Sequence, residues 1–303
     1  MKLMTPVVDL PCKVGISYQD KIMMLGSCFA GNIGSRLVDY GFNAMVNPFG
    51  TLYNPRSVLS SIRRLVDGTH FTPEDCVEMG SGAGLVCSYS HHTSFARKSA
   101  SDFLQVANAA LDEAVAFFRE CNKVVITLGT SWCYRNIESG EIVSNCLKRP
   151  AREFKREMLS VSEVSACLKE IMSMCYESET LGARHKEFIF TVSPIRHMAD
   201  GAHGNQLSKS TLLLGIDGAI SSQNSPLCIE VSCRADYFPS YEIVMDELRD
   251  YRFYTEDMCH PSQQAEEYIC SRFLDWALPA SEQKILAENI RLSRRSKHIP
   301  RED

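Results

Sequence analysis

The sequence predicts an α/β fold, a three-layer α/β/α sandwich in which helices cover both faces of a mainly parallel, flavodoxin-like sheet. Three observations lead to this prediction. Short apolar segments rich in Val, Ile and Phe recur along the chain, and an amphipathic segment with helical periodicity separates most of them. The chain of 303 residues is also long enough to bury one large core. Because no internal repeat or linker interrupts this pattern, residues 1–285 are predicted to form one domain.

Five apolar segments are the predicted strands of this sheet. They cover residues 21–25, 42–47, 124–129, 188–194 and 227–231. The predicted helices cover residues 30–40, 55–66, 103–120, 161–176, 206–221 and 261–276. Strands that alternate with helices favour parallel pairing, because each helix returns the chain to the same end of the sheet.

Two segments lack helical periodicity and are predicted to be β-hairpin insertions. Residues 76–90 surround a Gly-rich turn, and residues 132–146 have Glu138-Ser139-Gly140 at their tip. We expect both hairpins at the carboxyl edge of the sheet, where open α/β sheets carry their binding sites. They either shape a pocket there or form a dimer interface.

Charge and cysteine content narrow the classes of function. A net charge of −5 argues against nucleic acid or an anionic membrane as the main partner. The basic residues near the end lie in 286–303, which is predicted to be a flexible tail. Thirteen cysteines without metal-binding spacing favour a reducing compartment. The first residues lack the apolar core of a signal peptide, and no apolar run could span a bilayer, so we expect a cytoplasmic protein.

The strongest local feature is the segment GSCFAGN at 26–32. It places Ser27 directly after the first predicted strand and before a helix. At that position a hydroxyl lies at the carboxyl end of the strand, and N–H groups at the helix start can receive a developing oxyanion. The alternative interpretation is a helix N-cap, for which Ser is a favoured residue.

A second feature, near the other end of the chain, supplies partners for a nucleophilic serine. Asp257 precedes His260 by three residues, in a loop before the last predicted helix. A carboxylate in that position can orient one imidazole nitrogen and leave the other for a serine hydroxyl. The alternative is a surface loop with a capping Asp and a solvated His.

These features together resemble the SGNH or GDSL hydrolases, and more specifically the GSCFA family, which is named after the motif at 26–30. That family is similar to SGNH hydrolases and typical of bacterial proteins. The resemblance covers the chain from about residue 20 to residue 276. Its other segments here are NPFG and YNP at 47–55, LGTSWCY at 128–134, SPIRH at 193–197 and FPSYEIVMDELRDYRFYTEDMCHPS at 238–262.

The resemblance implies a catalytic triad of Ser27, His260 and Asp257, as nucleophile, base and orienting acid. It also implies that Gly50 and the N–H of Ser27 or Cys28 bind the oxyanion. The superfamily's third block is usually Gly-x-Asn, but here Gly129-Thr130-Ser131 has a serine where the asparagine is usual. Gly129 and Ser131 are therefore candidates for binding the oxyanion or the substrate. Loss of the Asn donor would cost about 10²–10³ in rate unless the Ser hydroxyl, Asn47 or Asn54 replaces it.

Further residues are open to more than one interpretation. Cys28 is either a nucleophile or a buried thiol beside Ser27. Arg196 and His197 follow the predicted strand 188–194 and are expected to face the site as candidates for substrate binding. Arg196 either holds an anionic group of the substrate or pairs with Asp200 or Glu242. His203 and Asn205 are interpreted as turn and cap residues. His91 and His92, with Cys87 and either Asp257 or His260, form a conceivable zinc set, but their spacing does not require one, and no metal is predicted. Trp132 and Tyr134 either wall a sugar or acyl pocket or simply pack.

The resulting expectation is a serine esterase without cofactor that acts on a small O-acyl ester, such as an acetylated sugar. Neither nucleic acid nor a membrane is an expected partner. An O-acyltransferase with the same triad is one alternative. A catalytically silent domain that binds a carbohydrate or a protein is the other, and the altered third block favours it.

Overall fold

The structure is a computed structural model that describes residues 5–7, 11–80, 82, 84–179, 182–223 and 233–296. Its strands, in chain order, are β1 (Lys21–Gly26), β2 (Asn43–Val46), β3 (Val77–Glu78), β4 (Val86–Cys87), β5 (Lys123–Leu128), β6 (Trp132–Asn136), β7 (Ile142–Val143), β8 (Phe154–Met158), β9 (Glu187–Val192) and β10 (Ala235–Phe238). Its helices are α1 (Cys28–Asp39), α2 (Pro55–Asp67), α3 (Ala100–Glu120), α4 (Val161–Glu179), α5 (Gly201–Gln223), α6 (Ser240–Glu242), α7 (Gln263–Ala277) and α8 (Gln283–Ser296).

The central sheet has five strands in the order β10-β9-β5-β1-β2, and every neighbouring pair is parallel. Counted along the chain, its strands therefore follow the doubly wound order 2-1-3-4-5. The order reverses between β1 and β5, and sheets of this kind bind their ligands at the carboxyl ends of the strands at that point. The topology thus marks one edge of the molecule as the place for a site.

Both faces of the sheet are buried against helices. Met23 and Leu25 of β1 belong to a core shared with α2, α3, α4 and α5, whereas Ile22 and Met24 belong to a second core with α1, α7 and α8. Successive side chains of a strand point to opposite faces, so a strand covered on both sides must be apolar throughout. The predicted α/β/α sandwich is confirmed.

Both hairpin insertions are present. β3 pairs antiparallel with β4, and β6 pairs antiparallel with β7. The second insertion gains a further strand, β8, on the other side of β6, which the sequence did not predict. Residues 132, 134 and 143 of this three-stranded sheet line the candidate site, so this insertion shapes a pocket.

Two differences from the predicted elements matter. The strand predicted at 227–231 lies outside the described residues, and the fifth strand of the sheet is β10, at Ala235–Phe238. The flexible tail predicted from residue 286 is wrong up to Ser296, because α8 buries Leu286 and packs Ile290 against the second core. Within the described residues, no helix has the length and apolar character needed to cross a membrane.

Candidate active site

Ser27 is held at the carboxyl end of β1, at the point where the strand order reverses. Its backbone N–H donates to the carbonyl oxygen of Thr127 in β5 at 3.1 Å. Gly26 has φ of +141°, and a Cβ there would lie 2.1 Å from the same oxygen. Only glycine can therefore bring β1 and β5 together at this turn.

The Ser27 side chain does not cap the helix that it begins. Ser27 occupies the N-cap position of α1, yet its side chain makes no capping hydrogen bond. Its Oγ is buried and has no hydrogen-bond partner among the described residues. A buried hydroxyl without a partner is uncommon, because desolvation is then uncompensated. The capping interpretation is wrong for this side chain, and the hydroxyl is available for chemistry.

Asp257 and His260 form the hydrogen-bonded pair that the sequence predicts. Asp257 Oδ2 lies 2.5 Å from His260 Nδ1. Asp257 Oδ1 accepts hydrogen bonds from the N–H groups of His260 and Cys259 and from the Thr255 hydroxyl, at 2.9, 2.8 and 2.7 Å. Those backbone N–H groups, with the hydroxyl and the imidazole, hold the pKa of Asp257 well below its usual range. The carboxylate is thus ionised and fixes the imidazole, leaving Nε2 free to act.

Ser27 and the Asp257–His260 pair meet at one cavity. It has a volume of about 590 Å³, and both Ser27 and His260 line it. The Ser27 hydroxyl and the His260 ring are not hydrogen bonded to each other. The remaining lining residues are Cys28, Tyr53, Asn54, Thr130, Trp132, Tyr134, Val143, Ser144, Asn145, Cys146, Arg156, Ile195, Arg196, His197, Met198, Ala199 and Asp200.

His197 also lines the cavity and is more buried than His260. Its Nε2 atom is buried and has no hydrogen-bond partner among the described residues. A Cβ placed on Gly129 would lie 3.3 Å from this nitrogen and 3.5 Å from Ser27 Cβ, so Gly129 lies beside both side chains. Burial, aided by the positive charges of Lys209, His260 and Arg156, lowers the pKa of His197 to about 4. His197 is therefore a neutral imidazole at physiological pH.

Several of the backbone groups expected to bind an oxyanion are already occupied. The N–H of Gly50 donates to Asn47 O at 2.7 Å, and that of Gly129 donates to Tyr53 O at 2.8 Å. The Ser27 N–H is bound to Thr127, as described above. Gly50 also packs against His92, where a Cβ would lie 2.2 Å from the histidine Cβ, and it does not line the cavity.

Three side chains were candidates to replace the third-block Asn as an oxyanion donor, and the structure places them differently. Ser131 is fully buried, bonds the Ser208 hydroxyl and does not line the cavity. Asn47 accepts the Gly26 N–H at 2.8 Å and also lies outside the cavity lining. Asn54 lines the cavity, while its Oδ1 accepts the Ser57 N–H at 2.9 Å. The amide group of Asn54 is thereby fixed at the cavity wall.

The backbone N–H of Cys28 matters more to the candidate site than its thiol does. As the first residue of α1 it has a backbone N–H without an intrahelical acceptor. Its Sγ lies 3.5 Å from Tyr53 Oη at the cavity wall. Burial, together with the hydrogen bond to Cys28, raises the pKa of Tyr53. The first turn of α1 therefore presents an unpaired donor beside Ser27.

The two arginines of the cavity are held differently. Arg196 Nη1 donates to Met258 O at 3.0 Å, and the Arg196 N–H donates to Cys259 O at 3.0 Å. Arg196 thus pairs with neither Asp200 nor Glu242, and it fastens the loop that carries His260. Arg156, which the sequence analysis did not identify, forms the ion pair with Asp200 and lies 4.1 Å from the ring centre of Trp132.

Helix α5 supports the site from behind through polar side chains that the sequence did not identify as functional. Asn205 Oδ1 accepts the His197 N–H at 2.9 Å, and the Ser208 hydroxyl bonds Thr130 Oγ1 at 2.9 Å. Lys209 is buried and donates to the carbonyl oxygens of Gly129 and Ser193, both at 2.6 Å. Burial lowers the pKa of Lys209 to about 7.

The histidine pair considered for zinc lies away from the cavity lining. His91 is enclosed by the rings of Phe49, Phe71, Phe95 and Phe103, and its Nδ1 lies 2.7 Å from Ser88 Oγ. Burial lowers the pKa of His91 to about 3. Among the described residues, no three His, Cys, Asp or Glu side chains are grouped as metal ligands.

A comparison with known protein families assigns the chain to one of them. The sequence profile of the GSCFA family matches residues 21–273, from β1 into α7. The chain belongs to the GSCFA family. The matched region contains Ser27, Asp257 and His260, and hence the whole candidate site of this GSCFA protein. No curated protein and no solved structure is similar enough to the chain to count as a match.

Proposed function

We propose that this GSCFA protein is a serine-dependent hydrolase of O-acyl esters, with the SGNH-type triad of Ser27, His260 and Asp257. One observation carries the proposal. The buried, unpartnered hydroxyl of Ser27 opens into the cavity that the Asp257-oriented imidazole of His260 also lines. A nucleophile, a base and an acid that orients the base are the parts that acyl transfer through a serine requires.

The reaction follows from these positions. His260 Nε2 takes the Ser27 proton as Oγ attacks the ester carbonyl, and Asp257 stabilises the imidazolium that forms. The Cys28 N–H and the Asn54 amide are the donors available to the oxyanion. His260 then gives its proton to the departing alcohol, and an acyl-enzyme remains on Oγ. Water, deprotonated by His260, attacks this ester, releases the carboxylic acid and restores Ser27.

The walls of the cavity support a small ester on a carbohydrate as substrate. Trp132 and Tyr134 present aromatic surface, and sugars commonly pack their C–H faces on such rings. The guanidinium of Arg156 lies over Trp132 and supplies hydrogen-bond donors at the same wall. A volume of about 590 Å³ lies in the range of small-molecule sites.

An O-acyltransferase with the same triad is the second candidate. Ser27 is only 1 % exposed, so an acyl group on its oxygen would be shielded from bulk water. Such shielding favours transfer to a bound hydroxyl over hydrolysis. Product analysis in the presence of an added sugar acceptor separates the two: a transferase yields the acylated sugar, and a hydrolase yields the free acid.

A reducing compartment, the cytoplasm, is the location that we propose. Cys87, Cys121 and Cys270, all buried in the described part of the chain, are free thiols, a state that such a compartment maintains.

Hydrolysis of p-nitrophenyl acetate tests the proposed reaction. The wild type should turn over the ester, and Ser27→Ala and His260→Ala should each lose at least about 10³-fold, because triad members act as a unit. Ser101→Ala and His203→Ala remove the same side chains from exposed positions and serve as matched controls. Equal rates for wild type and both triad variants would refute the proposal and leave a binding domain as the better description.

A further inference from the structure

The proposed reaction needs more oxyanion donors than the backbone of this site supplies. The N–H groups of Ser27, Gly50 and Gly129 all donate to carbonyl oxygens within the fold. Ser131, at the position of the superfamily's asparagine, lies outside the cavity lining. Beyond the Cys28 N–H and the Asn54 amide, a third oxyanion donor close to Ser27 must therefore come from another part of the chain.

His197 has the position for this role. Its Nε2 is buried and unpartnered, as is Ser27 Oγ. Both side chains reach to within 3.5 Å of the point where a Cβ of Gly129 would stand. A glycine at this point leaves open the space into which the oxygen of a substrate bound to Ser27 could project.

The imidazole of His197 is also held in place. Its backbone N–H is bound by Asn205 Oδ1, and its ring meets the Tyr53 ring edge-on, with centroids 6.1 Å apart and planes at 87°. A donor fixed before the reaction stabilises a developing charge without the cost of reorganisation. The unpartnered nitrogen is thus a positioned group and not the end of a mobile side chain.

We propose that neutral His197, with its proton on Nε2, donates a hydrogen bond to the oxyanion formed when Ser27 attacks an ester. This inference rests on the proposed function. The bond forms and breaks with the tetrahedral intermediate, and the proton stays on His197 throughout. His197 thereby takes the place of the asparagine amide that the third block lacks.

The charges around His197 favour a donor over a base. Lys209, Arg156 and the imidazole of His260 face it, and no carboxylate among the described residues bonds its ring. Asp200 follows closely in the chain, but its carboxylate is paired with Arg156. Burial, together with these positive neighbours, opposes protonation, and the pKa of His197 falls to about 4. A neutral imidazole can still polarise a carbonyl oxygen by donation.

Paired substitutions at the two histidines separate a donor from a base. Gln retains an N–H donor but cannot accept and return a proton at neutral pH. We expect His197→Ala to lose about 10²–10³-fold in kcat on p-nitrophenyl acetate with KM little changed, and His197→Gln to recover at least about tenfold of that loss. His260→Gln should remain as inactive as His260→Ala. His203→Ala is the matched control.

Each outcome has a distinct meaning. If His197→Ala keeps wild-type kcat, or if His197→Gln is folded and no more active than His197→Ala, the donor role is refuted while the serine mechanism stands. If the wild type itself neither hydrolyses the ester nor reacts at Ser27, the proposed function fails, and this inference fails with it.

The tautomer provides a readout that does not depend on activity. Long-range ¹H–¹⁵N spectra of protein labelled at histidine distinguish protonated from bare ring nitrogens, and His197→Gln assigns the signal. We expect His197 to stay neutral, with its proton on Nε2, from about pH 5.5 to about pH 8. A proton on Nδ1 alone, or titration at the ordinary value of 6.5, would refute the proposal.

Discussion

Replacing Lys209 with Met removes an ammonium group that the fold buries directly behind the candidate site. Lys209 is 1 % exposed, and its Nζ donates only to the carbonyl oxygens of Gly129 and Ser193 among the described residues. Burial without a carboxylate partner disfavours the charged form and lowers the pKa of Lys209 from 10.5 to about 7. In the unfolded chain the lysine regains its ordinary affinity for the proton.

The sign and size of the change in stability follow from the difference in the pKa of Lys209 between the folded and the unfolded chain. Between pH 7 and pH 10.5 the unfolded chain holds the proton that the folded chain has lost, so this group makes stability rise with pH. Each pH unit of full difference contributes about 1.4 kcal/mol, which gives a rise of about 2.5 kcal/mol between about pH 6 and about pH 9. Lys209→Met lacks this contribution. The free energy of unfolding of wild type minus variant should therefore grow by about 2.5 kcal/mol over that range.

Urea denaturation at several pH values, followed by tryptophan fluorescence, measures this quantity. Titrations of other groups are common to both proteins and cancel in the difference. Lys98→Met removes an exposed lysine and controls for the loss of one positive charge. A wild-type-minus-variant difference that is flat with pH, or that falls, would show that Lys209 is charged in the fold and would refute the reasoning.

Three further predictions concern the cavity. Gly129→Ala places a methyl group 3.2 Å from the Tyr53 carbonyl oxygen, 3.3 Å from His197 Nε2 and 3.5 Å from Ser27 Cβ, so we expect kcat on p-nitrophenyl acetate to fall at least about tenfold; an unaltered kcat would contradict this. Cys28→Ala should keep its rate within about threefold, because only the backbone of Cys28 is used, and loss of covalent labelling would instead indicate a thiol nucleophile. Asp257→Asn should lose about 10³-fold in kcat, whereas near-normal activity would show that the imidazole needs no carboxylate.

The fold could be predicted from the sequence because its signals are local. Strands β1, β5 and β9 are buried on both faces, so each is a continuous apolar run followed by polar or Gly residues. β8 was missed because three of its five residues, Lys155, Arg156 and Glu157, are charged and leave no apolar run. α8 was missed because its basic last turn resembles a solvated tail, although Leu286 lies in the core.

The site could be predicted in part. Ser27, Asp257 and His260 lie in short sequence motifs, and the structure places Ser27 and His260 at one cavity, with Asp257 bonded to His260. Gly50 was assigned from the resemblance, but its φ of +80° serves a turn in which its N–H is already bonded. Lys209 could not be recognised, because a lysine in a helix is ordinarily solvated, and only the tertiary fold buries it.

Mass spectrometry of protein treated with a fluorophosphonate probe tests the central claim most directly. The serine mechanism predicts one adduct, located on Ser27, and a labelling rate at least about 10²-fold lower in His260→Ala, because the imidazole must take the hydroxyl proton. His203→Ala should label at the wild-type rate. An unlabelled Ser27, an adduct on another residue, or equal labelling of wild type and His260→Ala would contradict the assignment of Ser27 as a nucleophile activated by His260.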